Sequence, residues 1–153
     1  MLRRFQITAL YVTHDQAEAM EIGDRVAVMQ GGRIVQLGTA RQIYETPTTR
    51  FVAEFVGEMN RLSARSAARA GLGEGDVWFR PEAARLAAPG AGGLQGRVTQ
   101  ATFFGALTRM TVDCEGEEIS LFASPKAAAA VGATVGVEID RSAALRFEED
   151  RGC

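Results

Sequence analysis

Apolar residues recur along this chain with two periods, and the change from one to the other divides it. Thr8, Leu10, Tyr11 and Val12 make a β-rich run. From Asp15 the spacing turns helical: Ala17 with Met20, and Ala19 with Ile22, give a helix one apolar side to bury. Asp15 is placed to cap it, with Glu18 three residues on to return the bond. Arg25 to Met29 alternates around Val26 and Val28 and predicts a strand. Gln30-Gly31-Gly32-Arg33 supplies a hairpin turn, and Ile34, Val35 and Leu37 a return strand. Thr39 with Gln42 is a capping-box pattern for a short helix through Ile43 and Tyr44, stopped by Pro47. Thr48 or Thr49 then caps another helix, with Phe51, Val52, Phe55 and Val56 on one side and Gly57 as its C-cap. That stripe reads as core packing.

Beyond Met59 the texture changes. Residues 63–75 are rich in Ala, Arg and Gly and read as a strand plus loop at a domain boundary. Residues 76–79 predict a short strand ended by Arg80-Pro81-Glu82, and residues 88–93 a flexible loop. Three β-like runs follow, at residues 94–104, 106–114 and 117–122, turning at Gly105 and at Glu115-Gly116. A further strand is expected at 134–139 and a last one at 144–147. Short strands at close spacing with glycine turns predict a small barrel of oligonucleotide/oligosaccharide-binding (OB) type. The whole is therefore an α+β chain of two parts, 1–58 and 59–150.

Composition narrows the function classes. The chain has 153 residues, 46% hydrophobic and 24% charged, with a net charge of −2, a soluble globular balance without the basic patch that nucleic acid demands. Lys126 is its single lysine, and the arginine, alanine and glycine content reads as the bias of a GC-rich genome. No apolar run approaches the roughly 18 residues of a membrane-crossing helix, and no signal peptide opens the chain. Cys114 and Cys153 form no CxxC or zinc spacing, so reduced, structurally neutral cytoplasmic thiols are expected. Arg80, Glu82 and Arg109 are expected to be solvated surface.

His14, the only histidine, stands between the β-rich run and the helix start, where a polar residue lies at the carboxyl end of a strand. A lone histidine there reads first as a hydrogen-bonded structural residue. The surrounding string shifts that reading. Tyr11-Val12-Thr13-His14-Asp15-Gln16-Ala17-Glu18-Ala19-Met20, with Gly23-Asp24-Arg25-Val26-Ala27-Val28-Met29, resembles the switch-histidine segment of ATP-binding-cassette (ABC) transporter ATPases. The resemblance runs on through Gly31-Gly32-Arg33-Ile34-Val35-Gln36-Leu37-Gly38-Thr39, Ile43-Tyr44-Glu45-Thr46-Pro47 and residues 51–57. Phe79-Arg80-Pro81-Glu82, Gly96-Arg97-Val98 through residues 104–109, and Val131-Gly132-Ala133-Thr134-Val135 resemble a TOBE domain, the small β-barrel appended to importer ATPases.

The sequence contains no Gly-x-x-x-x-Gly-Lys-[Ser/Thr], no Leu-Ser-Gly-Gly-Gln and no apolar strand ending in Asp-Glu ahead of Thr8. The resemblance therefore implies the C-terminal portion of an importer ATPase. It also implies that His14 contacts the γ-phosphate in the intact enzyme, which uses ATP and magnesium. Phosphoryl transfer needs a cradle, a lysine and a metal besides an imidazole, so this chain alone is expected to be inactive, with no cofactor or metal of its own. Permease partners, a cytoplasmic place peripheral to the inner membrane without direct insertion, no nucleic acid and a homodimer complete the expectation. The dimer follows from apolar strand edges left open at residues 10–12, 26–29 and 34–37. Gly57-Glu58-Met59-Asn60 looks closest to the polyamine and ferric-ion importers. The competing reading is a non-enzymatic regulatory, dimerising or solute-binding module.

Overall fold

Local capping chemistry sets the helices of the amino-terminal part. In the computed structural model, which describes residues 8–148, α1 (Gln16–Ile22) starts at Asp15, whose carboxylate accepts the Glu18 N–H at 3.1 Å. The reciprocal bond expected of Glu18 is not made. The Asp15 N–H goes to Thr13 Oγ1 at 3.0 Å, and the Glu18 carboxylate accepts the Thr13 hydroxyl at 2.9 Å. β1 (Val26–Gln30) and β2 (Arg33–Gly38) form an antiparallel hairpin closing on the Gln30–Arg33 pair. Gly31 and Gly32 carry φ of 56° and 76°, the two positive values a type I′ turn requires. Thr39 and Gln42 complete both halves of a capping box on α2 (Ala40–Glu45).

Thr49 caps α3 (Arg50–Phe55), accepting the Val52 N–H. The helix ends at Val56 in the bridge region rather than at a left-handed Gly57, so the expected glycine C-cap is corrected. Val28, Ile43, Val52 and Val56 form the small core, flanked by Met20, Val35 and Phe51. Phe55 is 43% exposed and Ala53 is buried in its stead. The strand expected at residues 10–12 is also corrected: those residues form no regular element, and Leu10 and Val12 are 94% and 85% exposed. A strand needs a neighbour to take its backbone hydrogen bonds, and no described strand pairs with this run.

The chain divides into two compact units, the first ending at Val56 and the second beginning at Gly57. In the second, β3 (Asn60–Leu62) pairs antiparallel with β4 (Val77–Phe79). Between them stands α4 (Ala64–Arg69), where a strand plus loop was expected. Ser63 caps it, and the Ala/Arg sequence is a strong helix former once capped. A 3-10 turn at Pro81–Ala83 leads into β5 (Ala84–Ala87), which sequence patterning missed. β6 (Leu94–Phe104), β7 (Leu107–Cys114), β8 (Glu117–Ala123) and β9 (Thr134–Ile139) complete an antiparallel sheet of order β5-β9-β6-β7-β8. The strand expected at 144–147 is reduced to a single bridge between Trp78 and Leu145.

The edge strands β5 and β8 approach each other, which curls the sheet into an OB-like form, although no ladder joins them. Inside the curl lie Leu62, Phe79, Met110, Ile119 and Leu121, all fully buried. Each large apolar side chain so placed contributes about 1.5–3 kcal/mol. Gly136 on β9 has no room for a side chain: a Cβ there would sit 2.0 Å from the Ala91 carbonyl oxygen.

Candidate functional site

His14 is exposed and sits directly before the cap of α1. Its two neighbours are held by the Thr13–Asp15–Glu18 hydrogen bonds, so the backbone that presents the imidazole is fixed on both sides. Tyr11 joins the same network: its hydrogen bond to Glu18, and that carboxylate's charge, raise the phenol above its ordinary value. A shallow hollow of about 70 Å³ adjoins the ring, lined among others by Thr13, Asp15, Met20, Val28 and Phe55. The imidazole can offer one hydrogen bond to an anion there. No glycine-rich cradle or lysine stands in this unit beside it.

The second unit carries a larger feature, an open cleft of about 910 Å³. Arg69, Glu82, Arg85, Glu138, Asp140 and Arg141 give it its charge, from α4, the 3-10 turn, β5 and the end of β9. Much of that charge is internally satisfied. Arg85 and Glu138 pair through two contacts, at 3.0 and 3.1 Å, and the guanidinium holds the carboxyl below its usual range. Arg69 is bound to Glu115. Asp140 accepts the Ser142 hydroxyl at 2.7 Å and the Ser142 N–H at 2.9 Å, and these bonds lower its pKa.

Of the three charged residues singled out from the sequence, Glu82 is exposed on this cleft. Arg109 is exposed and pairs with Glu58 at 2.6 Å. Arg80 corrects its expectation: it is 6% exposed and donates to the Glu58 carbonyl at 3.1 Å. It sits where β4 turns into the 3-10 segment, next in the chain to the fully buried Phe79. Sequence reasoning missed Arg69, Arg85, Glu138, Asp140 and Arg141. They come from separate elements, and no local spacing marks them as one group.

Cys114 is buried and free. Burial, with the Asp113 and Glu117 carboxylates adding to it, pushes its thiol up to about 11. Cys153 lies outside the described residues. No described helix is long and apolar enough to cross a membrane.

The second unit is thus a small OB-like sheet domain following an α/β segment that presents a histidine. Residues 77–147 match the TOBE domain family. A ferric-ion import ATP-binding protein of Pectobacterium atrosepticum, FbpC 1, is 36% identical over 135 residues, covering 78% of this chain and 38% of the relative. The spermidine/putrescine import ATP-binding protein PotA of Borreliella afzelii is 34% identical over 154 residues, covering 80% and 44%. Among solved structures, the cytoplasmic molybdate-binding protein ModG aligns over 53% of this chain and 68% of its own, at 20% identity and a TM-score of 0.41. The chain carries a TOBE domain and is homologous to the C-terminal parts of ABC importer ATP-binding subunits. It spans less than half the length of those relatives.

Proposed function

We propose that this chain is the C-terminal portion of the ATP-binding subunit of an ABC solute importer. Residues 1–58 are the end of the ATPase domain and residues 59–150 its TOBE-type regulatory domain. The observation that carries the reading is continuity: similarity to importer ATP-binding subunits extends over about four-fifths of the chain and so includes both parts. In the intact subunit, which uses ATP and magnesium, His14 contacts the γ-phosphate and helps to place the attacking water. Its exposure and its position at a fixed helix start suit that role. The permease is the membrane partner and the subunit lies on its cytoplasmic side. The solute is ferric ion or a polyamine, the reading that Gly57-Glu58-Met59-Asn60 supports, and the chain is a homodimer.

By itself the chain offers an imidazole without the lysine, cradle or metal that phosphoryl transfer demands. Residues 1–153 are therefore expected to show no ATP turnover above a buffer blank with magnesium present. Turnover that His14→Ala abolishes would overturn this part of the reading. The lineage is tested separately, by sequencing the genomic DNA preceding Met1. A phosphate-loop, signature and magnesium-site sequence there, in frame or one shift away, supports it; unrelated sequence leaves the binding-module reading in its place.

A further inference from the structure

β6 is longer than its place in the sheet requires. Its first four residues, Leu94 to Arg97, pair with β9, and Val98 bonds the loop ahead of β9 through Ala133 and Gly132. On the other edge, β6 pairs with β7 up to Phe104. Residues 99–104 therefore extend as a two-stranded ribbon whose outer edge pairs with nothing among the described residues. The Gly105-Ala106 turn, with φ of 74° at Gly105, makes Phe104 and Leu107 the flanking pair. In a two-residue hairpin that pair exchanges its hydrogen bonds internally, so alternation leaves Ala101 and Phe103 directing N–H and C=O outward.

The side chains add a second observation. All six residues from Thr99 to Phe104 are exposed, Phe103 at 67%, Phe104 at 64%, and Leu107 beyond the turn at 47%. Phe103 shares a face with Thr108 and Met110, and Phe104 with Leu107, so both sides of the ribbon are apolar near its tip. Residues 98–108 contain no charged side chain. Sheet edges exposed to water ordinarily carry a charge, a proline or a bulge near the exposed stretch. Here the bulge falls at residues 98–100, at the inner end of that stretch, and Ala101 to Phe104 carry none of these devices.

The geometry points to this edge as a self-pairing surface whose occupant is β6 of a second copy of the chain, antiparallel about a two-fold axis near Ala101. Over residues 98–104 a second copy meets this edge without a charged side chain on either strand. Antiparallel pairing on Ala101 sets Thr99 opposite Phe103 and Gln100 opposite Thr102, all neutral, and places Arg97 opposite Gly105 rather than opposite its own copy. The contact is isologous and uses the one free edge of β6, so it closes at two copies. The inference rests on the homodimer in the proposed function and says where that dimer forms.

The test compares the full chain with Ala101→Pro, which removes an outward N–H and leaves the inner ladder intact. Sedimentation is measured from roughly 5 to 200 µM, with circular dichroism and Trp78 emission as checks of the fold. A reversible dimer weakened at least about tenfold by Ala101→Pro, with amides 99–103 gaining exchange protection at high concentration, is the expected result. Phe104→Glu, on the outward face, gives a second variant with the same expected direction should the proline disturb the fold. A monomer throughout the range overturns both the dimer and this surface. A dimer unchanged by either variant, with no concentration-dependent protection at 99–103, overturns the surface and leaves the dimer standing.

Discussion

Cys114 shows how one side chain's environment decides its chemistry. It faces the core from the last position of β7, and burial holds its thiol near 11. Thiolate is the reactive form, so little of it is present near neutral pH. Alkylation by iodoacetamide at pH 7.5 is expected to be at least about 100-fold slower for native Cys114 than in denaturant. Peptide mass spectrometry distinguishes it from Cys153, and equal rates in the two conditions would contradict the burial argument. His14 is the opposite case, an exposed ring between two hydrogen-bonded neighbours. Its place just ahead of a helix cap was legible from the sequence; the buried strand expected before it, at residues 10–12, did not form. The setting of Arg80 was not legible: its burial goes with a bond to the Glu58 carbonyl, 22 positions back, which no neighbouring residue signals.

At the scale of elements, the best-anticipated pieces are those whose determinants lie within a turn of the chain. The Thr39–Gln42 capping box, the Gly31-Gly32 turn, β6 and β9 formed where patterning put them. α4 and β5 did not. α4 depends partly on a distant group, because the Ser63 N–H donates to Glu117 of β8 at 2.8 Å. β5 exists because β9 pairs with it. The loop at 88–93 lies against β9 so closely that Gly136 is obligatory. Gly136→Ala drives a Cβ into the Ala91 and Ala88 carbonyls and is expected to cost about 2–3 kcal/mol. Urea unfolding followed at Trp78 measures it; a loss under about 0.5 kcal/mol would mean that the loop yields freely.

The second unit as a whole should lose stability in acid. Five of its carboxyls, at Asp76, Glu115, Glu117, Glu138 and Asp140, are held below their ordinary values of 3.8 to 4.5. Arginine hydrogen bonds are the leading cause at Asp76, Glu115 and Glu138, and Ser142 at Asp140. At Glu117, burial works upward and is outweighed by hydrogen bonds from Ser66 and Ser63. A group depressed on folding binds fewer protons in the native state, so its stabilising effect is complete above the unfolded value and lost as pH falls through the folded one. Trp78 is the only tryptophan, packed edge-on to Phe147 with Arg61 above its ring, and reports on this unit alone. Its emission is expected to stay native from pH 7 to about 5 and to shift progressively below about 4.5. A spectrum unchanged at pH 2 would remove these carboxylates as determinants of stability.

By itself the sequence determined the caps at Asp15, Thr39 and Thr49, the glycine turns, most strand borders and the kinship with importer ATP-binding subunits. Each of these is written in residues close together in the chain, where a cap or turn needs only a neighbour three or four positions away. The tertiary structure decided the rest: the burial of Arg80, the irregular run at residues 10–12, the strand β5, the charged cleft and the overhanging end of β6. These depend on whether a partner stands across a sheet or beside a loop. A hydrogen-bond ladder or a buried charge takes its free energy from groups tens of residues away, and no window along the chain contains both sides of such a contact.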